Sequence, residues 1–220
     1  MKILLVDNNL HLKVYPQGLM VKSYLSLKNA LKSKVKRPLE LSREDINVDR
    51  VILTGSTAYV RQEDEWMKKE MEFISKWMKK EIPILGVCFG SQVLATYLFG
   101  RKSVSSLPVP MSGSIRFKHN GKCPLFKDLP KEFGVVSSHY ENTYVPKKYR
   151  VGEAEDIDTY AFWYKPNVFG IQFHPELMGV LGRTLVKLYK FSYDRHIYQD
   201  FSVKTSSKIG RKILKNFIEL

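Results

Sequence analysis

The sequence predicts an α/β protein with an open, mostly parallel sheet and helices on both faces. In the N-terminal half, short apolar runs typical of buried strands alternate with longer segments whose apolar residues have helical spacing. The runs Ile3–Val6 and Val51–Leu53 lack polar alternation, which favours strands covered on both faces. From Lys102 to Ile171, short alternating segments separated by Gly, Pro and Asn predict mixed or antiparallel strands added to one side of the sheet.

Each element of the N-terminal half follows from its own pattern. After the first strand, Asp7-Asn8-Asn9 forms a turn at the sheet edge where ligand sites gather in open α/β folds. The Trp and Met residues of the predicted helix Glu63–Lys79 are predicted to face the core. The further predicted elements are helices over Gln17–Leu31, Glu63–Lys79 and Ser91–Phe99 and a short strand over Val35–Leu41.

The C-terminal half is predicted to contain several short strands and two helices. Ser206 or Ser207 is a candidate cap for the last helix, and apolar residues from Ile209 to Ile218 have helical spacing. The predicted elements are strands over Gly113–Phe117, Phe133–Val136, Arg150–Glu153 and Tyr160–Tyr164 and helices over Leu177–Phe191 and Lys204–Leu220.

The chain is strongly basic, with 36 Lys and Arg against 22 Asp and Glu and a net charge of +14. Such a balance is found in proteins that bind nucleic acid, anionic membranes or acidic partners. Here the basic residues are spread along the chain rather than gathered in a tail. Around the second predicted helix they alternate with acidic residues, which predicts a solvated helix face and does not favour nucleic-acid binding; these are Lys68, Lys69, Lys76, Lys79, Lys80, Glu65, Glu70, Glu72 and Glu81.

Length and cysteine content favour one intracellular domain. A chain of 220 residues fits a single domain with a sizeable core, and no apolar stretch is long enough to span a membrane. The N-terminal apolar run stops at Asp7, which is too early for a signal peptide. With only Cys88 and Cys123, a disulfide framework is not expected, so we expect a reducing cytoplasm and assign Cys123 no role.

The segment Ile82–Gln92 predicts a strand that ends in a nucleophile. Its apolar residues form a buried strand, and Gly86 and Gly90 flank Cys88 at two residues' distance on either side. A sharp strand-to-helix turn needs such small residues because strand and helix approach closely there. The turn places the Cys88 sulfur at a helix N-terminus, where the dipole and free amides favour a thiolate. The alternative is a structural cysteine beside a tight turn.

A candidate general base lies far downstream, in Gly170–Glu176. His174 can exchange protons with Cys88, and Glu176 can orient His174 and stabilise its imidazolium form. The two side chains lie on one side of an extended segment because side chains alternate with period two. The alternative for a lone histidine is a satisfied structural residue, but the presence of Cys88 and Glu176 favours catalysis.

The two motifs together resemble those of the class I, triad-type glutamine amidotransferases. Gly86–Gln92 resembles the nucleophile motif of that family and Gly170–Glu176 resembles its His/Glu motif, over a region from about Lys2 to about Leu188. The resemblance is strongest to free-standing members related to the glutaminase part of GMP synthase. It implies a flavodoxin-like fold and hydrolysis of L-glutamine by Cys88, His174 and Glu176, with no cofactor and no metal.

The resemblance also assigns the remaining site residues. The Phe89 amide and the loop that contains Gly55 and Ser56 are expected to form the oxyanion hole. In this loop the family often has a second glycine and a proline, where the chain has Ser56 and Thr57. Residues expected to contact the substrate are Gln92, Ser138, His139 and Tyr140, with a helix-capping amide and a plain loop histidine as the alternatives for Gln92 and His139.

Domain organisation follows from the extent of the resemblance. We expect a glutaminase domain over 1–191 and a C-terminal extension over 192–220 whose amphipathic helix packs on the same domain. The alternative is a contact surface for a partner protein or for a second copy in a homodimer.

The fate of the ammonia depends on another chain. There is no G-x-x-x-x-G-K-[ST] phosphate loop and no room for a synthetase domain, so we expect a separate synthetase, with GMP synthase-type chemistry as the first hypothesis. The alternatives are a stand-alone γ-glutamyl hydrolase with the same triad, and a regulatory or binding protein on this fold.

Overall fold

The computed structural model describes residues 1–9, 17–62, 64–155, 157–164, 166–193 and 198–220. Within these residues, ten strands form one mixed sheet in the order β10-β5-β7-β8-β9-β4-β3-β1-β2, and β6 pairs with β5 beside this path. The strands are β1 (Ile3–Val6), β2 (Ser33–Lys36), β3 (Arg50–Leu53), β4 (Ile84–Val87), β5 (Val104–His119), β6 (Glu132–Thr143), β7 (Arg150–Ala154), β8 (Ile157–Tyr164), β9 (Val168–Ile171) and β10 (Tyr198–Asp200). The helices are α1 (Gln17–Tyr24), α2 (Leu27–Leu31), α3 (Glu65–Lys79), α4 (Phe89–Phe99), α5 (Val180–Tyr193) and α6 (Ser207–Ile218).

The parallel part of the sheet brings the two sequence motifs together. Strand β4 pairs in parallel with β3 on one side and with β9 on the other, and Val87 lies opposite Ile171. Since the carboxyl ends of parallel strands meet at one edge, Cys88 and the segment that leads to His174 emerge side by side. Strands β5 to β8 extend the sheet by antiparallel pairing, as the sequence predicted.

Helices cover both faces of the sheet because its strands alternate their side chains between two cores. Leu5, Ile52 and Leu85 belong to one core, together with residues of α1 and α6. Leu4 and Leu53 belong to the other core, together with residues of α3 and α4. This period-two alternation confirms the predicted α/β class.

Two predicted elements in the first forty residues end earlier than expected. The predicted helix Gln17–Leu31 divides into α1 and α2, because Ser26 adopts an extended conformation (φ −61°, ψ 152°) at the N-cap of α2. The predicted strand Val35–Leu41 is instead β2, which ends at Lys36. Pro38 begins a 3-10 turn there, and its ring nitrogen has no hydrogen to donate to a ladder.

The antiparallel strands are longer than the sequence indicated, and two further strands, each with a parallel neighbour, were not indicated at all. Strand β5 runs through a register shift between Ser106 and Met111, where two prolines interrupt the alternation that signals a strand. Strands β9 and β10 have only four and three residues. The predicted start of α3 at Glu63, and residues 194–197 of the predicted extension, lie outside the described residues.

Glu70 contradicts the predicted solvated face of α3. The sequence grouped it with the exposed charges of this helix, but its side chain is fully buried. It lies on the inner face with Trp66, Phe73 and Trp77, three to seven positions away. A helical period of 3.6 residues places position 70 on that stripe, and the charge of the residue obscured the pattern.

The C-terminal helix α6 packs on the sheet. Its apolar stripe, formed by Ile213, Leu214 and Phe217, is completely buried in the core that also contains α1. Ser206 is the N-cap residue, without a side-chain capping hydrogen bond. Among the described residues, no helix combines the length and the apolar character needed to cross a membrane.

Candidate active site

The turn between β4 and α4 holds Cys88 in an unusual backbone conformation. Cys88 has φ 52° and ψ −108°, a region that residues other than glycine rarely adopt. A Cβ atom on Gly86 would lie 2.5 Å from the Gly90 carbonyl oxygen, and one on Gly90 would lie 2.4 Å from the Leu53 carbonyl oxygen. Both glycines are therefore required by the close approach of helix and strands, as the sequence predicted.

His174 and Glu176 lie beside this turn and are both buried. The backbone amide of His174 donates to the Val136 carbonyl oxygen at 2.8 Å, which ties the motif to β6. The Nδ1 atom of His174 lies 2.7 Å from Glu176 Oε1. The Cys88 thiol is the other group that acts electrostatically on the imidazole, and Nε2 is the ring nitrogen that Glu176 leaves free to face it. The structure thus brings the predicted nucleophile, base and carboxylate together.

The charge state of His174 is set by its two partners. Burial by itself would lower the pKa of His174, because it disfavours the charged imidazolium. The negative charge of Glu176, and then that of Cys88, outweigh burial and raise the pKa of His174 well above the ordinary 6.5. The arrangement therefore favours a protonated imidazole between two acidic groups.

Two further groups contact the Cys88 thiol. The Sγ atom lies 3.6 Å from the Ser138 carbonyl oxygen, and Nε2 of Gln172 donates to Sγ at 3.7 Å. Cys88 is 3% exposed, but Ser138, whose carbonyl oxygen contacts the thiol, is half-buried, so the thiol lies close beneath the surface. Sequence analysis gave Gln172 no role. Its position two residues before His174 was the available signal, because alternate residues of an extended segment share a side.

The loop Thr54-Gly55-Ser56-Thr57, named the oxyanion loop below, follows β3 and approaches His174. A Cβ atom on Gly55 would lie 2.6 Å from Gln17 Oε1 and 2.9 Å from His174 Cε1, so the space at Gly55 is already filled. Ser56, where the family often has glycine, is not among the residues with positive φ, and its Oγ accepts from the Ala58 amide at 3.1 Å.

The first turn of α4 meets the oxyanion loop. The Gly90 amide donates to the Thr54 carbonyl oxygen at 3.1 Å. The Phe89 amide, one residue earlier at the first helical position, has no acceptor among the described residues. An amide at this position, beside the nucleophile and at the positive end of the helix, is suited to stabilise an oxyanion.

Comparison with known proteins assigns the family. The family model described as glutamine amidotransferase class-I matches residues 19–187, which is more than half of the chain. The chain belongs to the class I glutamine amidotransferases. Its triad-like cluster, nucleophile turn and oxyanion loop all lie within the matched residues.

Individual relatives agree with this assignment. The GMP synthase (glutamine-hydrolyzing) of Thermosipho africanus is 34% identical over 188 residues, which are 82% of this chain and 30% of the relative. A glutamine amidotransferase from Thermotoga maritima has the same fold, with a TM-score of 0.73, 21% identity and coverage of 100% of this chain and 96% of that one. A glutamine amidotransferase from Methylobacillus flagellatus also has a TM-score of 0.73, with 15% identity and coverage of 100% and 94%.

The other residues predicted to contact the substrate have different surroundings in this amidotransferase chain. Gln92 is buried, and its Nε2 donates to the Glu141 carbonyl oxygen at 2.8 Å and to Gln172 Oε1 at 3.5 Å. Ser138 presents its carbonyl oxygen to the thiol, and the half-buried Tyr140 contacts the ring of Tyr59. Gln92 is therefore already occupied by protein groups, and its contact with Gln172 links it to Cys88.

His139 is held inside the chain by both ring nitrogens. Its Nδ1 lies 2.9 Å from the Glu141 carbonyl oxygen and its Nε2 lies 3.0 Å from the Tyr160 hydroxyl, which also hydrogen-bonds to Ser137. Burial lowers the pKa of His139 to about 4, so the ring is neutral at pH 7. A contact with substrate would therefore be made by the backbone at this position rather than by the imidazole.

No metal-binding cluster accompanies these groups in the part of the chain that the structure describes: His, Cys, Asp and Glu side chains form no group of three or more with that geometry. Cys123 lies in the core, where burial raises the pKa of its thiol to about 12. It is therefore protonated and unreactive at neutral pH, in agreement with its lack of a predicted role.

Proposed function

We propose that this amidotransferase chain hydrolyses the side-chain amide of L-glutamine and delivers the ammonia to a separate synthetase. The observation that carries the proposal is the convergence of Cys88, His174 and Glu176 at one sheet edge, with Glu176 held 2.7 Å from Nδ1. The family assignment supports glutamine as substrate. The chain spans only 30% of the length of the first GMP synthases that it matches, so the acceptor chemistry belongs to another polypeptide segment.

In the first half of the reaction, Cys88 attacks the amide carbon. The thiol proton already lies on Nε2 of His174, whose raised pKa favours the imidazolium, so the carbon–sulfur bond forms from the thiolate and the carbonyl oxygen takes up the negative charge. The Phe89 amide and the oxyanion loop at Gly55 and Ser56 stabilise that charge. His174 then gives its proton to the nitrogen as the carbon–nitrogen bond breaks, which releases ammonia and leaves a thioester on Cys88.

In the second half, water attacks the thioester with His174 as base. The proton taken from water stays on Nε2, the sulfur leaves as the thiolate when the carbon–sulfur bond breaks, and glutamate is released. Glu176 holds the imidazole in one tautomer and stabilises its protonated form at both stages.

The two free thiols, Cys88 and Cys123, are consistent with the reducing cytoplasm that we propose as the location.

Replacement of Glu176 by glutamine tests the role of the carboxylate. Glu176→Gln keeps an oxygen acceptor near Nδ1 but removes the charge that raises the pKa of His174. We expect kcat/KM to fall roughly 10²- to 10⁴-fold, the usual contribution of an acid–base group. The alkaline limb of the pH profile, where His174 loses its proton, should move to lower pH.

The same variant is also expected to change the unfolding free energy in a way that depends on pH. The pKa of His174 in the folded chain lies above its ordinary value of 6.5. The stabilisation of the fold by the pair of protonated His174 and Glu176 is therefore fully present below pH 6.5 and is lost as pH rises through the folded-state pKa. The difference in unfolding free energy between wild type and Glu176→Gln should therefore shrink as pH rises. Glu72→Gln, at an exposed position of α3, is the control and should leave the activity profile unchanged.

The proposed function is tested by ammonia release from L-glutamine, with and without the synthetase chain of a two-chain GMP synthase. Hydrolysis that increases when the synthetase is added supports the proposal. Faster release of amines from γ-glutamyl compounds than of ammonia from glutamine overturns it in favour of a γ-glutamyl hydrolase. Absence of turnover on either substrate, combined with tight binding to the synthetase, overturns it in favour of a binding protein.

A further inference from the structure

A buried acid lies behind the oxyanion loop and takes no part in the proposed chemistry. Glu70, on α3, is fully buried, and its Oε1 accepts a hydrogen bond from Asn8 Nδ2 at 2.9 Å. Its other carboxyl oxygen, Oε2, has no hydrogen-bond partner within the described ranges of the chain. An acid buried in this way is costly, so its retention calls for an explanation in terms of what it holds.

Asn8 connects this acid to the oxyanion loop. Its Nδ2 also donates to the Thr54 carbonyl oxygen at 3.1 Å, and its backbone amide donates to Thr54 Oγ1 at 3.0 Å. Thr54 Oγ1 in turn donates to the Gly55 carbonyl oxygen at 3.2 Å. Asn8 thus holds Thr54 by its side-chain hydroxyl and by its carbonyl oxygen. Glu70 in turn holds the side-chain amide of Asn8 that binds the carbonyl oxygen.

The same carbonyl oxygen is shared with the nucleophile turn. The Thr54 oxygen accepts the Gly90 amide as well as Asn8 Nδ2, so the Thr54–Gly55 peptide is fixed between Asn8 and the first turn of α4. The Phe89 amide precedes Gly90 directly. A displacement of this peptide would therefore move both proposed oxyanion donors relative to Cys88, and misplacement of about 1 Å can cost roughly 100-fold in rate.

We propose that Glu70 is a positioning residue for the oxyanion hole, acting through Asn8 on the Thr54–Gly55 peptide. The inference rests on the proposed glutaminase function for its effect on rate. The geometry alone carries its effect on the loop, since Glu70, Asn8 and Thr54 form one chain of buried hydrogen bonds.

Protonation gives the proposal a distinctive signature. Burial raises the pKa of Glu70 to about 8, against a smaller lowering by the Asn8 hydrogen bond, so the acid is neutral at pH 7. Two other titratable groups lie on neighbouring elements: Asp7 accepts the Asn9 and Gly18 amides and, at 3.5 Å, the Thr54 hydroxyl, and Asp45 pairs with Lys36. The neutral isostere glutamine should therefore replace Glu70 without loss, whereas leucine should not.

The sign of the pH effect follows from the raised pKa. An unfolded glutamate ionises near 4.5 but Glu70 ionises near 8 when folded, so stability falls between these two values as pH rises. Glutamine cannot ionise, so Glu70→Gln does not lose stability in this pH range. We therefore expect the melting temperature of Glu70→Gln, relative to wild type, to rise between pH 5 and pH 9.

The test compares glutaminase kinetics of Glu70→Leu, Glu70→Gln and Asn8→Ala. We expect Glu70→Leu and Asn8→Ala to lower kcat by about 10- to 100-fold with KM within about 3-fold, and Glu70→Gln to keep wild-type kcat at pH 7. The double variant Glu70→Leu/Asn8→Ala should be no worse than the poorer single variant, since both break one chain. Ile74→Ala, which removes another buried side chain of α3, should lower the melting temperature but keep kcat.

Backbone hydrogen exchange separates this inference from the proposed function. Faster exchange at residues 54–57 and 89–90 in Glu70→Leu, but not in Ile74→Ala, supports the inference even if wild type proves to lack glutaminase activity. Unchanged exchange in that loop overturns the inference, whatever the activity. Equal losses of kcat in Glu70→Leu and Ile74→Ala also overturn it, because they would mark general destabilisation. Loss of kcat in Glu70→Gln at pH 7 does the same.

Discussion

Cys88→Ala is expected to reduce glutamine hydrolysis by about 10⁴-fold or more, with the fold intact. The thiol is the only group in the proposed mechanism that bonds to the substrate, so neither His174 nor the oxyanion hole can replace it. Alanine keeps the backbone strain of the turn and removes one buried atom, which predicts little change in melting temperature. The measurement is ammonia release, together with a melting curve of the same preparation.

The second cysteine supplies a matched control for this expectation. Cys123→Ala removes the same atom from a buried site, but its thiol has a pKa raised to about 12 and lies outside the cluster around His174. We expect this variant to retain activity and iodoacetamide to label Cys88 but not Cys123 in the wild type. Comparable activity in Cys88→Ala and Cys123→Ala would rule out the thioester mechanism.

Phe217→Ala is expected to cost about 3–5 kcal/mol of unfolding free energy, the range for deleting a buried aromatic side chain. Phe217 is completely buried in α6, and its ring contacts that of Phe169 in β9 at a centroid distance of 6.1 Å. The measurement is unfolding by denaturant, for which we expect a single cooperative transition. Lys215→Ala, at an exposed site on the same helix, should change stability by no more than about 0.5 kcal/mol.

This experiment bears on the proposed division of the chain at residue 191. If residues after 191 pack on the glutaminase domain, Phe217→Ala lowers the stability of the whole domain. If they form a separate unit, its unfolding leaves the rest unaffected and two transitions appear. The contacts favour the first outcome: a Cβ on Gly210 would lie 2.1 Å from the Pro175 carbonyl oxygen, and Thr205 Oγ1 donates to the Met178 carbonyl oxygen at 3.0 Å.

The position of α6 also connects the extension to catalysis. Pro175 stands between His174 and Glu176, so the helix that touches its carbonyl oxygen supports the segment that carries both side chains. Asn216 fixes the helix from its other end by donating to the Leu125 and Lys127 carbonyl oxygens at 2.9 and 2.8 Å. We therefore expect destabilisation of α6 to lower kcat as well as melting temperature.

Sequence analysis predicted the local geometry of the nucleophile turn better than the surroundings of the site. The spacing of Gly86, Cys88 and Gly90 requires a tight turn, and the structure gives the steric reason. It did not anticipate Gln172, whose role depends on which strand lies beside β4, or the engaged ring of His139, which depends on Tyr160. Such partners are distant in sequence and leave no local periodic signal.

The identity and order of the reactive groups, and the alternation of buried strands with amphipathic helices, could be read directly from the order of the amino acids. These are local properties, because backbone sterics and side-chain period act over a few residues. The burial of Glu70 behind the oxyanion loop and the support that α6 gives to the His174–Glu176 segment became visible only in the folded chain. Those outcomes depend on which distant segments pack together, and packing is settled by the whole core rather than by any one stretch of the chain.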